Sequence, residues 1–130
     1  MATIQPLTSA MRLFPALLLL AAAPAFAGNF AECLLDKMPG TQNGATHAAV
    51  VQSCGQEHPA RYSGVIKGDG RGLFGFSDGN ACIIKKAAST SYQPAAGAIA
   101  FACRCLYDKP VIEGANCSSD FDPSTARPVN

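Results

Sequence analysis

Tryptophan is absent from this chain, histidine occurs only twice, and no uninterrupted apolar run is long enough to cross a bilayer. Each absence excludes something. With no tryptophan and many alanines, a domain of this length buries little apolar surface per residue, so its core alone is a weak source of stability. His47 and His58 stand far apart in sequence and no two cysteines form a Cys-x2-Cys knuckle, so the tight ligand pairs of a zinc site are missing and no cofactor or metal is expected. Beyond Arg12, nine acidic residues face nine basic ones. That balance lacks the electrostatic footprint of a nucleic-acid binder or a polybasic membrane anchor.

The run LFPALLLLAAAPAFA after Arg12 is shorter than the roughly 20 residues that a bilayer core requires and is interrupted by Pro15 and Pro24. A basic residue, an apolar stretch and the small residues Ala25 and Ala27 before Gly28 make the three parts of a secretory signal. Residues 1–27 are therefore expected to be cleaved, with Met11, next to Arg12, as an alternative start. No stable membrane span is expected after cleavage, and the mature protein is expected in the periplasm or outside the cell. The mature chain has the length of one domain.

All six cysteines lie beyond the signal, and an even count in a short exported chain reads as a disulfide framework. Six cysteines allow about 15 pairings. An internal repeat narrows them. CLLDKMPGTQNGATHAAVVQSC, from Cys33 to Cys54, lies without a gap over CIIKKAASTSYQPAAGAIAFAC, from Cys82 to Cys103, at an offset of 49 residues. Cys33, Lys37, Thr41, Ala49 and Cys54 then meet Cys82, Lys86, Thr90, Ala98 and Cys103, and Leu34 and Leu35 meet Ile83 and Ile84. The coincidence of both cysteine pairs with the apolar pattern marks a duplicated unit.

Each unit reads as two helices. Asn29 with Glu32 three residues later has the form of a capping box, Asp78 holds the matching position in the second copy, and Pro39-Gly40 and Ala88-Ser89 end the first helices. Asn43 and Ser91 are the expected caps of the second helices, with Pro94 tolerated in the first turn. The expected inward stripes are His47, Val50, Val51 and Cys54 in copy one, and Ala96, Ile99, Cys103 and Leu106 in copy two. A strand from Gly97 to Tyr107 would also satisfy the alternation, but the alanine content and the proline-capped start favour a helix. On a helix Cys103 and Cys105 face nearly opposite sides. Cys103 then pairs with Cys82, as Cys54 does with Cys33, and Cys105 is left for Cys117.

The fold class expected is mainly α: two tandem disulfide-closed helical hairpins joined by a Gly-rich loop or short β-hairpin. Residues 28–117 form one stapled domain, with copy one at 29–58, a connector at 59–77 and copy two at 78–107; residues 118–130 form a flexible tail. Within the connector, Tyr62–Lys67 and Leu73–Phe76 read as short strands around a glycine turn. The expected core is Phe30, Leu34, Leu35, Val50, Val51, Ile83, Ile84, Ile99 and Leu106.

The segment from Phe74-Gly75-Phe76 through Cys82-Ile83, Thr90, Ala95, Ile99, Ala102-Cys103 and Leu106-Tyr107 resembles a module of small uncharacterised bacterial envelope or secreted proteins with paired Cys-x20-Cys helical hairpins. The stretch ECLLDKMPGTQNGATHAAVVQSC is similar to its companion module. The resemblance implies a bacterial origin, export and this fold, and transfers no activity.

Four local patterns suggest chemistry and each has a plainer reading. Cys103-Arg104-Cys105 has the form of a redox dithiol, but internal symmetry assigns its cysteines to different partners. Gly70–Gly75 matches GxGxxG without the βαβ unit that the motif serves. Ser63, His58 and Asp69 supply triad residue types without a nucleophile turn. Asn116-Cys117-Ser118 matches a glycosylation acceptor with a half-cystine in the middle. No enzyme is expected. The first functional expectation is an interaction module that binds an envelope protein through Arg71, Phe74 and Phe76 on the Gly-rich loop. The alternative is a periplasmic carrier of a small apolar ligand, although the chain lacks the adjacent cysteines of plant lipid-transfer proteins.

Overall fold

The computed structural model describes residues 28–120, so the signal read at 1–27 and the tail beyond 120 lie outside the described residues. Four α-helices follow one another: α1 Phe30–Lys37, α2 Gly44–Glu57, α3 Gly79–Ala87 and α4 Gln93–Tyr107, with short 3-10 turns at Arg61–Gly64 and Cys117–Asp120. The helices start at matching positions of the two copies. Asn29 and Asp78, 49 residues apart, cap α1 and α3, and Asn43 and Tyr92 stand at the starts of α2 and α4 with the same offset.

Three of these starts are built by side-chain oxygens that accept from first-turn amides, which have no partner inside the helix. Asn29 Oδ1 accepts from Glu32 N at 3.0 Å while Glu32 Oε2 accepts from Asn29 N, completing the capping box. Asn43 does the same for Thr46 N and Asp78 for Ala81 N. The bond from Ala81 N is the main reason that the Asp78 carboxyl titrates below its usual range. The fourth start differs from expectation: Ser91 caps nothing, and α4 begins after Tyr92 with Pro94 in its first turn. Tyr92 N donates instead to Thr41 O across the seam between the copies.

Each hairpin is closed by its own disulfide, Cys33–Cys54 and Cys82–Cys103, with Cα atoms 5.7 and 5.5 Å apart. Cys105–Cys117 is the third bridge. Closing a loop of this length stabilises a fold by about 3 kcal/mol in the chain-entropy model. The two hairpins meet through α1 and α4, and α4 also packs on α3, its partner in the same copy. The core between them holds Phe30, Leu34, Leu35, Met38, Ala95, Ile99, Ala102 and Leu106, joined by Val65 from the connector. Burying a side chain such as Leu34 or Ile99 contributes about 1.5–3 kcal/mol.

Two core expectations are corrected. Ile84 is 76% exposed, although its counterpart Leu35 is buried. The reason is neighbours: α1 lies against α2, α4 and the first 3-10 turn, whereas α3 has α4 as its main support and leaves its other side to water. The stripe of α4 runs through Ala95, Ile99, Ala102, Cys103 and Leu106, one position away from Ala96 at its start. Val50, Val51 and Ile83 are only partly buried, and His47 is half-buried against Tyr92. On α2 only Cys54 is fully buried, so that helix is attached through its disulfide and the partly buried Val50 and Val51, with the half-exposed Lys37–Glu57 ion pair adding little.

No strand forms among the described residues, and the connector does not make the β-hairpin read at Tyr62–Lys67 and Leu73–Phe76. Instead it caps α4. The last four carbonyls of that helix have no intrahelical partner. Arg104 O accepts from Asp108 N at the helix's own C-cap, and the connector serves the other three: Cys105 O accepts from Gly68 N, Leu106 O from Gly70 N, and Tyr107 O from Arg71 Nη1 at 3.2 Å. A single antiparallel bridge, Ile66 to Asn116, ties the connector to the segment that carries Cys117. Gly75 serves close approach: a Cβ there would sit 2.2 Å from Gly70 O.

Candidate functional site

The principal concavity lies between α2 and α4, over α1 and the 3-10 turn at Arg61–Gly64, with a volume of about 490 Å³. Its floor is aromatic. Tyr62 stands edge-on to Phe30 at 5.0 Å between ring centres and edge-on to Phe101 at 4.6 Å. Edge-to-face pairs of this kind add about 0.5–1.5 kcal/mol beyond burial. Pro94, Gly97 and Ala98 of α4 form one wall and Val51 of α2 the other. Burial raises the Tyr62 phenol well above its ordinary value, so it stays neutral through the physiological range.

Among the described residues, Arg61 is the one charged side chain that lines this groove. Its backbone has φ +48, in the left-handed region that non-glycine residues occupy at a cost of about 1–3 kcal/mol. Its guanidinium carbon lies 5.7 Å from the centre of the Phe30 ring, within cation–π range. Gly55 of α2 makes room for it, since a Cβ there would lie 2.9 Å from Arg61 Nη2. Among the described residues no carboxylate pairs with Arg61; Glu57 is bound instead by Lys37 Nζ and by Ser53 Oγ at 3.1 Å.

The three residues read as a binding loop have different surroundings. Phe74 is 99% exposed and its neighbour Leu73 93% exposed. Phe76 is partly buried and packs edge-on to Tyr107 at 5.1 Å. Arg71 holds the α4 terminus through Tyr107 O. Only Phe74 of the three projects freely, and Arg71 and Phe76 anchor the loop that carries it.

The other chemical patterns resolve into structure. Cys103 and Cys105 are in separate disulfides, so the Cys-Arg-Cys unit holds no free dithiol. The GxGxxG string is a series of turns with no helix directly after it, and the Ser63 hydroxyl donates to Ala60 O. Cys33, Glu57 and His58 bring ligand-type atoms within 4.8 Å of one another. With Cys33 bonded to Cys54, however, its sulfur is not the thiolate that zinc binds, and its 3.8 Å approach to Glu57 is a contact without a proton to share. The Lys37 hydrogen bond, partly opposed by desolvation, lowers the Glu57 carboxyl below its usual range.

The groove residues Arg61, Tyr62 and Gly97 escaped sequence reasoning because two elements far apart in the chain, the 3-10 turn and α4, assemble them. One signal was present: Gly55 and Gly97 interrupt helical patterns, each weakening its helix by about 1 kcal/mol relative to alanine, which points to close approach or open space at that position. Both occur here, the first at Arg61 and the second in the open groove. No protein-family model, no curated protein and no solved structure matches the chain.

Proposed function

We propose that this chain is an exported, non-enzymatic module of the bacterial envelope that carries a small apolar ligand in the groove between α2 and α4. The carrying observation is an apolar concavity of about 490 Å³, floored by Phe30, Tyr62 and Phe101 and framed by two separately stapled hairpins. Its volume falls within the roughly 300–1,000 Å³ of small-molecule sites, and such sites are mostly apolar with few polar groups. Three disulfides fit an oxidising compartment outside the cytosol. The bacterial origin follows the sequence resemblance, and the export route follows the apolar run after Arg12. Native mass spectrometry of protein purified from its producing cells tests the reading. A small apolar mass that stays bound, and is lost in Gly97→Leu, supports it; bare polypeptide that takes up no apolar compound contradicts it.

A second reading rests on a different observation. Leu73 and Phe74 are almost wholly exposed on a loop anchored by Arg71 and Phe76, the arrangement of a protein-contact loop on a rigid base. Shortening Gly68–Gly75 would remove the caps of α4, so the informative variant is Leu73→Ser with Phe74→Ser. It keeps the fold, and on this reading it loses envelope proteins that co-purify with the parent; unchanged co-purification counts against the loop.

A further inference from the structure

The groove has a built-in charge at its edge, and among the described residues no carboxylate pairs with it. Resting on the reading of the groove as a ligand site, we infer that its occupant is a free single-chain amphiphile with a carboxylate head, whose chain lies against Val51, Ala98 and Phe101 and whose carboxylate is held by Arg61. Three observations converge on this class.

The lining is apolar except for Arg61 and the neutral Tyr62 phenol, and no acidic residue among those described lines the groove. A cationic head would therefore meet a like charge, and a neutral head would accept at most a single hydrogen bond with no charge to complement the guanidinium. A carboxylate matches the planar fork of arginine with two parallel charge-assisted hydrogen bonds.

Arg61 is also placed for such a contact. It is exposed, and its guanidinium lies beside the aromatic floor, 5.7 Å from the Phe30 ring centre and next to the notch at Gly55, on a backbone in the left-handed region. Strained backbone of this kind persists where surrounding structure fixes it and concentrates at ligand sites. Among the described residues nothing acidic pairs with Arg61, because Glu57, four positions earlier in the chain, is bound to Lys37.

The opposite wall is left open. Among the described residues a Cβ on Gly97 would meet nothing within 4 Å, so α4 carries a helix-weakening residue where alanine would fit. The volume of about 490 Å³ lies in the lower half of the ligand-site range, room for one chain rather than the paired chains of a phospholipid.

The test is isothermal titration calorimetry at mildly alkaline pH on the disulfide-bonded protein isolated after export, with decanoate, decanol and decyltrimethylammonium as probes. Decanoate is expected to bind about two- to fivefold tighter than decanol, the value of an ion pair at a solvent-exposed arginine. Decyltrimethylammonium is expected to bind weakest. Arg61→Gln is expected to bring decanoate down to the level of decanol, and Arg61→Lys to keep part of the preference. Arg61→Gly, which suits the left-handed backbone, repeats the test without strain. Equal binding of decanoate and decanol, unchanged by Arg61→Gln, overturns the carboxylate inference and leaves the apolar groove standing. If none of the three probes binds, the groove reading itself fails. Preferential co-sedimentation with phosphatidylglycerol vesicles, with no uptake of decanoate, overturns the free single-chain ligand.

Discussion

Thr41 and Thr90 hold the same place in the two hairpins, and each binds the turn of the other copy: Gly40 N donates to Thr90 Oγ1 at 3.0 Å and Tyr92 N donates to Thr41 O at 3.3 Å. The two are not equivalent. Thr41 is 3% exposed and gives its hydroxyl proton to Met38 O at 2.6 Å, whereas the bond at Thr90 faces solvent. A buried hydrogen bond contributes about 1 kcal/mol net, and water can replace an exposed one. Thr41→Val is therefore expected to lower the unfolding free energy by about 1 kcal/mol in urea titration, and Thr90→Val by less.

The three disulfides differ in access. Cys33 keeps 8% exposure beside the Glu57 cluster, while Cys82 and Cys103 are fully buried. Attack by an external thiolate requires reach to a sulfur. Graded treatment with dithiothreitol followed by alkylation and mass spectrometry is expected to open Cys33–Cys54 before Cys82–Cys103. Replacing both Cys82 and Cys103 by alanine is expected to cost about 3 kcal/mol.

Gly97 lies within α4, and among the described residues nothing comes within 4 Å of the place a Cβ would take. Gly97→Ala is expected to raise stability by about 1 kcal/mol, seen as a higher thermal midpoint, because alanine restricts the unfolded chain and favours the helix. A loss of stability would mean that α4 does not pass the groove with this face open.

Tyr62 supplies a pH signature. Burial raises its phenol in the folded state, so above the ordinary tyrosine value of about 10 the unfolded chain loses a proton that the folded chain retains. The contribution is intact below that pH and is lost as pH rises toward the folded-state value. Stability is expected to fall on the alkaline side in the parent and to fall less steeply in Tyr62→Phe, measured by denaturant titration at several pH values.

Helix caps and disulfide pairing were legible in the sequence, and the packing of one element on another was not. Asn29, Asn43 and Asp78 mark their helix starts because a cap needs only an oxygen two or three residues from an orphan amide. The repeat offset and the helical separation of Cys103 from Cys105 led to the three pairings. Ile84 could not be told from Leu35 by pattern, since what differs is the number of helices beside each. The glycine connector resembled a hairpin because its service to the α4 carbonyls is settled by a contact with residues some 35 positions away. Arg61 carried no motif at all; its meaning comes from Gly55 and Phe30, which reach it only in the folded chain.

The most direct measurement is the map of backbone amide shifts by NMR on adding decanoate to the isotopically labelled, disulfide-bonded protein. The account predicts that shifts cluster at Val51, Arg61, Tyr62, Gly97, Ala98 and Phe101 and vanish in Gly97→Leu. Shifts confined to Leu73 and Phe74, or no shifts at a saturating concentration, would contradict it.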